Sequence, residues 1–317
     1  MRLLFFGLLF FTSGILFGQI KTTKIFEEVP TSFHLPYDSL NNFEGENIKK
    51  YIGQVLYLNQ KPLELRQYGY ADMFEYYKEN EYKEKVYKCC ESYNTIYKEV
   101  AGKYFLVIDA FKHPKSTENE RLYGKSYILK LVEKETNDTL IYHYNSEYKT
   151  SFPFIILGYF EKLKKTNVGH EFIFQNKLID GSINIETGKI IKIKTGTIWT
   201  CIDVTIEDKY YYLSLVFKNI NNEKIAIEYD ILSQDFISTT YFTTLKANYY
   251  QKKFGNENWK NILEGKAKIG MTREMCKISW GIPKKINETI TLGKKREQWV
   301  YDDNYLYFFN GTLTTIQ

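Results

Sequence analysis

The stretch Ile96-Tyr-Lys-Glu-Val-Ala-Gly102-Lys-Tyr-Phe105-Leu-Val-Ile108-Asp109 has a counterpart 94 residues on. It reads Ile190-Ile-Lys-Ile-Lys-Thr-Gly196-Thr-Ile-Trp199-Thr-Cys-Ile202-Asp203. Ile, Lys, Gly, Ile and Asp coincide, and Phe105 faces Trp199. Downstream the likeness resumes at an offset of 84, with Leu129, Leu131, Val132, Lys134, Asn137 and Ile141 set against Leu213, Leu215, Val216, Lys218, Asn221 and Ile225. The offset changes where the first copy carries a polar insert, His113 to Arg121, and surface loops absorb such length easily.

Two copies of one β-unit are implied, over 96–144 and 190–229. Each has a strand leading into glycine, a strand ending at aspartate, and a hairpin closed by Asn137-Asp138 or Asn221-Asn222, residues that tolerate left-handed turns. Tyr211, Leu213, Leu215 and Phe217 alternate as one face of a strand. Asp109 and Asp203 invite a catalytic reading. Their recurrence at one place in each unit favours a strand-end hydrogen-bonding role instead.

Working outward, Tyr51 to Leu58, Phe152 to Tyr159 and Glu171 to Gln175 read as further strands. Between Tyr70 and Tyr93 the spacing is helical: Tyr70, Met73, Phe74 and Tyr77, then Val86, Cys89, Cys90 and Tyr93. That pattern assigns Cys89 and Cys90 to packing, since adjacent cysteines rarely bond each other. Cys201 and Cys276 are expected as buried free thiols, with one long-range disulfide as the open alternative.

The N-terminus, MRLLFFGLLFFTSGILFGQ, has one cation, a short apolar run and a small residue near its end. It reads as a signal peptide over 1–18, cut after Gly18 and too short to span a bilayer. Residues 19–44, with Pro30 and Pro36, read as an extended lead-in. The chain has 317 residues and a net charge of +5, with its cations dispersed. A nucleic-acid footprint needs a concentrated basic face, so none is expected.

Catalytic and metal signatures are missing. His34, His113, His143 and His170 lie apart in sequence, without metal-ligand spacing. There is no G-x-S-x-G elbow, phosphate loop or dinucleotide fingerprint. No catalytic, cofactor or metal residue is therefore nominated. A carboxylate pair assembled by folding would leave no such trace.

From Thr244 the composition changes. Trp259, Ile262 and Leu263 suggest a short amphipathic helix capped by Asn256 and ended by Gly265. Thr272 suits a helix N-cap, Glu274 the first turn, and Gly281 the stop before Pro283. Met275, Cys276, Ser279 and Trp280 share one face. Strands follow at 287–292, 298–301 and 305–309, then Asn310-Gly311 and a closing strand at 312–316.

Gly270-Met271-Thr272, the helix ending Trp280-Gly281-Ile282-Pro283, Trp299-Val300-Tyr301 and Phe309-Asn310-Gly311 resemble the BamE (SmpA/OmlA) family pattern. The resemblance covers 244–317 and implies two helices on a small antiparallel sheet, with a non-enzymatic role in the bacterial outer envelope. Trp280 stands where that family has Leu, and the family's lipoprotein cysteine is missing. Of these, Gly270, Met271, Thr272, Gly281, Pro283, Trp299, Tyr301, Asn310 and Gly311 read as turn and core residues.

The expectation is an α+β, mostly β protein, with tandem antiparallel units over 45–243 and the terminal module after them. It is exported to the periplasm, outer membrane or exterior, where it binds an envelope or extracellular protein and makes at most a peripheral outer-membrane contact. The competing reading is a secreted enzyme or binding protein for glycans or peptides, resting on export and the 17% aromatic content.

Overall fold

The computed structural model describes residues 22–23, 37, 39, 41–78, 84–233 and 240–317. The signal peptide, Pro30, His34 and Pro36 lie outside these residues. The chain is α+β and mostly β.

The first sheet contains β1 (Val55–Leu58), β2 (Tyr104–Lys112), β3 (Ser126–Glu133), β4 (Thr139–Asn145) and β5 (Phe154–Ile156), in the order β4-β3-β2-β1-β5. Helix α1 (Leu157–Asn167) starts where β5 ends. The second sheet repeats this plan. It has β6 (Glu171–Phe174), β7 (Ile198–Glu207), β8 (Leu213–Asn219), β9 (Lys224–Glu228) and β10 (Tyr241–Thr243), in the order β9-β8-β7-β6-β10. Helix α2 (Thr244–Phe254) continues from β10, and both helices have 11 residues.

The two units agree bond by bond. Gly53 and Gly169 each donate their N–H across 2.8 Å, to the carbonyls of Val107 and Cys201 respectively. Asn59 donates from its backbone to Pro153, and Gln175 to Thr240. A one-residue bulge falls between Val107 and Asp109 in β2, and between Cys201 and Asp203 in β7. Gly102 and Gly196 both have positive φ, 77° and 81°, at the turn into those strands. That region is open to glycine without penalty.

The repeat is therefore a five-stranded unit with a helix, larger than the meander read from sequence. The offset of 94 holds for β2 and β7. The offset of 84 does not. Val107 pairs with Leu131 and Cys201 with Phe217, so β3 and β8 correspond at 86. Leu129 pairs with Tyr142 and Leu215 with Ile227, so β4 and β9 correspond at 85.

Two other expectations fail locally. Residues 157–159, read as strand, open α1. The helix expected over 70–93 is replaced by short strands at Met73–Phe74, Cys89–Glu91 and Asn94–Thr95. Asp72, Lys88, Ser92 and Tyr93 have φ between 44° and 66°, which no right-handed helix accommodates.

The sheets share one apolar core that includes Phe105, Leu131, Trp199 and Phe217, with α1 wedged between them through Leu157, Phe160 and Leu163. Each unit also ties itself to the next part of the chain through a side-chain amide. Asn59 Nδ2 donates to the Tyr211 carbonyl at 2.7 Å, and its counterpart Gln175 Nε2 to the Ile278 carbonyl at 2.9 Å.

The terminal module comprises α3 (Asn256–Leu263), α4 (Arg273–Trp280), β11 (Lys285–Thr291), β12 (Lys294–Val300), β13 (Tyr305–Phe309) and β14 (Thr312–Ile316), its strands in sequential antiparallel order. Gly255, not Asn256, is the cap position of α3. Thr272 Oγ accepts the Met275 N–H at 3.3 Å and so caps α4. Helix α2 completes the second unit, so the boundary read at 244 separates a strand from its own helix; Gly255 is the natural division. Even there the parts are not detachable, because Ile173, Phe242, Ala247 and Phe254 share a core with Trp259, Ile262 and Cys276.

Candidate functional site

The solvent-facing side of the terminal sheet is built from rows of side chains that run across its strands. Alternation along each strand sends Trp299, Leu306, Phe308 and Leu313 inward, and every second residue to the opposite face. Register then lines up two rows. Asn287 opposes Gln298, which opposes Tyr307, which opposes Thr315; Thr289 opposes Arg296, which opposes Phe309, which opposes Thr312.

The first row is a chain of hydrogen bonds. Asn287 Nδ2 donates to Gln298 Oε1 at 2.9 Å, Gln298 Nε2 to the Tyr307 hydroxyl at 3.0 Å, and that hydroxyl to Gln317 Oε1 at 3.0 Å. In the second row the Arg296 guanidinium lies 5.9 Å from the Phe309 ring centre, within cation–π range. Together the rows floor an open trough of about 790 Å³. Its polar groups are oriented before any ligand arrives, which lowers the entropy cost of binding.

Beside the trough, β11 is the outermost strand, and among the described residues it pairs only with β12. All seven of its residues are exposed, Ile286 at 49% and Ile290 at 65%. Natural edges are generally short, charged, bulged or interrupted by proline. β11 has a single lysine and a single glutamate over seven residues and contains no proline.

The motif residues build this module and do not line the trough. The Gly270 N–H donates to the Leu313 carbonyl at 2.8 Å. Met271 and Trp299 are buried in the core and Pro283 is buried beside it. Gly281 carries φ of 90° after α4. The Tyr301 hydroxyl donates to the Gly281 carbonyl at 3.0 Å, and Trp280 Nε1 to the Gly265 carbonyl at 2.9 Å, so the indole is tied into the helix pair. Asn310 and Gly311, with φ of 46° and 86°, form the tight turn. A side chain at Gly311 would be strained by its positive φ and would displace the Arg273 guanidinium, 2.8 Å from its Cβ.

Asp109 and Asp203 do one job in the two units. Each Oδ1 accepts the N–H of the next residue, Ala110 at 2.8 Å and Val204 at 2.9 Å, which closes the bulge. Asp203 also pairs with Lys164 of α1 at 2.9 Å. His113 and His143, far apart in sequence, meet with ring centres 5.7 Å apart; His113 is buried and stacks on Tyr123 at 4.4 Å. His143 Nε2 is 3.5 Å from Glu84, and His170 is exposed. Among the described residues no three His, Cys, Asp or Glu side chains form a metal-holding group.

The cysteines separate by environment. Cys89 and Cys90 are exposed with their sulfurs in contact, which corrects the packing assignment. Cys201 and Cys276 are fully buried free thiols, each pushed up to about 12 by burial.

Sequence reading nominated none of the trough residues. The available signal was the alternation itself: Gln298, Tyr307 and Phe309 fall on the parity opposite to Trp299, Leu306 and Phe308, and two of those three outward residues are aromatic. Comparison with family profiles, curated proteins and solved structures gives no match for this chain.

Proposed function

We propose that the chain is an exported, non-enzymatic binding protein of the bacterial cell envelope, which holds an extended segment of another protein on its BamE-like terminal sheet. The observation that carries this reading is the trough beside an exposed, lightly charged edge strand. A strand added at β11 gains main-chain hydrogen bonds for affinity. Its alternate side chains fall over Asn287 and Arg296 on one face and beside Ile286 and Ile290 on the other. Tyr307 and Phe309 supply ring area of the kind that anchors protein contacts. The signal-like N-terminus and the family resemblance supply the compartment. Among the described residues no helix is long and apolar enough to cross a membrane, and the association with the envelope runs through the protein partner.

Cross-linked pull-downs from envelope extracts test it. Wild type and Lys130→Glu, an exposed change on the first unit, should recover the same protein. The combined Ile286→Lys, Ile290→Lys and Tyr307→Ala variant should lose it while keeping the wild-type circular-dichroism spectrum and a cooperative melt. Failure to recover a protein, or equal recovery by the triple variant, contradicts the proposal.

A further inference from the structure

Among the described residues, the two units differ in what fills one position beside the sheet. Two residues before Gly53 stands Tyr51, fully buried, packed edge-on against Tyr144 and tilted against Phe152, with ring centres 5.6 and 5.5 Å away. Its hydroxyl accepts the Glu44 N–H at 2.9 Å and donates to the Tyr144 hydroxyl at 3.4 Å. Two residues before the matching Gly169 stands Asn167, a far smaller side chain. The counterpart of Tyr144, by the pairing of β4 and β9, is Tyr229.

Where the first unit has the Tyr51 ring, the second has a cavity of about 220 Å³. Phe172, Leu215 and Phe217 form its buried wall. Tyr159, Tyr229, Tyr241 and Asn167 bring polar groups to it, with the Tyr159 and Tyr229 rings edge to face at 6.4 Å. The same wall residues in the first unit, Leu56, Leu129 and Leu131, are closed over and fully buried.

We infer that this cavity binds a small molecule with one aromatic ring and a hydroxyl group, a simple phenol, which takes the place that Tyr51 occupies in the sister unit. Its volume lies below the roughly 300–1,000 Å³ of sites for drug-sized ligands. Apolar cavities of about 150 Å³ already accept a single benzene ring. The ring would lie on Phe172 and Phe217, and the hydroxyl would meet Tyr229, as the Tyr51 hydroxyl meets Tyr144. This site is separate from the terminal sheet and does not depend on what binds there.

The test is titration of the full exported chain with p-cresol and with toluene, read by calorimetry and by saturation-transfer NMR. A ligand of about eight heavy atoms should bind with a Kd on the order of 0.1–1 mM, and toluene several-fold more weakly. Asn167→Tyr rebuilds the plug of the first unit and should weaken p-cresol at least tenfold, with an unchanged or raised melting temperature. Should that variant fail to fold, Leu215→Phe fills the cavity from its wall and carries the same comparison. Absence of saturable p-cresol binding to wild type, undiminished binding in the filled variant, or equal affinity for toluene would each overturn the assignment.

Discussion

Trp259→Ala measures how firmly the terminal module is welded to the second unit. The indole is 4% exposed and packs edge-on against Phe242 of β10, ring centres 5.0 Å apart, and near-parallel to Tyr250 of α2 at 6.0 Å. Replacing a buried large aromatic by alanine costs about 3–5 kcal/mol, and the lost ring pairs place this site in the upper half of that range. At about 2–4 °C per kcal/mol for a body of this size, the melting temperature falls by about 10 °C. Scanning calorimetry and far-ultraviolet circular dichroism on the exported chain read it. Phe242 and Ile173 belong to the second sheet while Trp259 belongs to the module, so both should melt together in one shifted transition. A shift below about 3 °C, or a low-temperature transition for the module alone with the sheets at their wild-type temperature, refutes the shared core.

Other predictions rest on the ionisable groups. Burial pushes Glu133 upward, but hydrogen bonds from Lys103, Lys88 and Tyr87 outweigh it and hold the carboxyl below its ordinary value. A depressed carboxyl contributes stability that is present above its unfolded pKa of about 4.3 and lost as pH falls through the folded value. Glu133→Gln should therefore lower the unfolding free energy read from urea titration at pH 7, by about 3 kcal/mol for a broken buried pair, and flatten the loss of stability below pH 4; parallel pH curves for the two proteins would count against it. Cys89 and Cys90 are exposed while burial raises both other thiols. Iodoacetamide after mild reduction should thus label that pair only, with Cys201 and Cys276 reacting after unfolding; mass spectrometry of native digests showing either buried cysteine modified would contradict their burial.

The module was legible because its signals are local. Thr272, Gly281 and Asn310-Gly311 act through their own backbone, and α3, α4 and the four strands lie close to where those residues place them. The repeat was legible in part. Strand alternation has a period of two, so an offset of 84 and one of 86 put the same apolar residues on the same face. Only the hydrogen-bond register separates them. β1 and β6, or β5 and β10, share little sequence because their identity lies in which carbonyl faces which N–H. The misread helix has a similar origin. Tyr70 bridges Thr95 and Met73 pairs with Tyr142, so the apparent helical spacing of 70–93 came from residues drawn to a core by distant strands. The trough is a property of four strands in register, visible only once they are assembled.

Site-specific photo-cross-linking in the exporting cell decides whether a protein partner lies on the terminal sheet. A photoreactive residue at Thr289, on the trough side of β11, is compared with one at Lys130 on the first unit; both positions are exposed. Binding at the sheet predicts one protein adduct at Thr289, abolished by Tyr307→Ala, and none at Lys130. Silence at Thr289, or the same adduct from both positions, would contradict it.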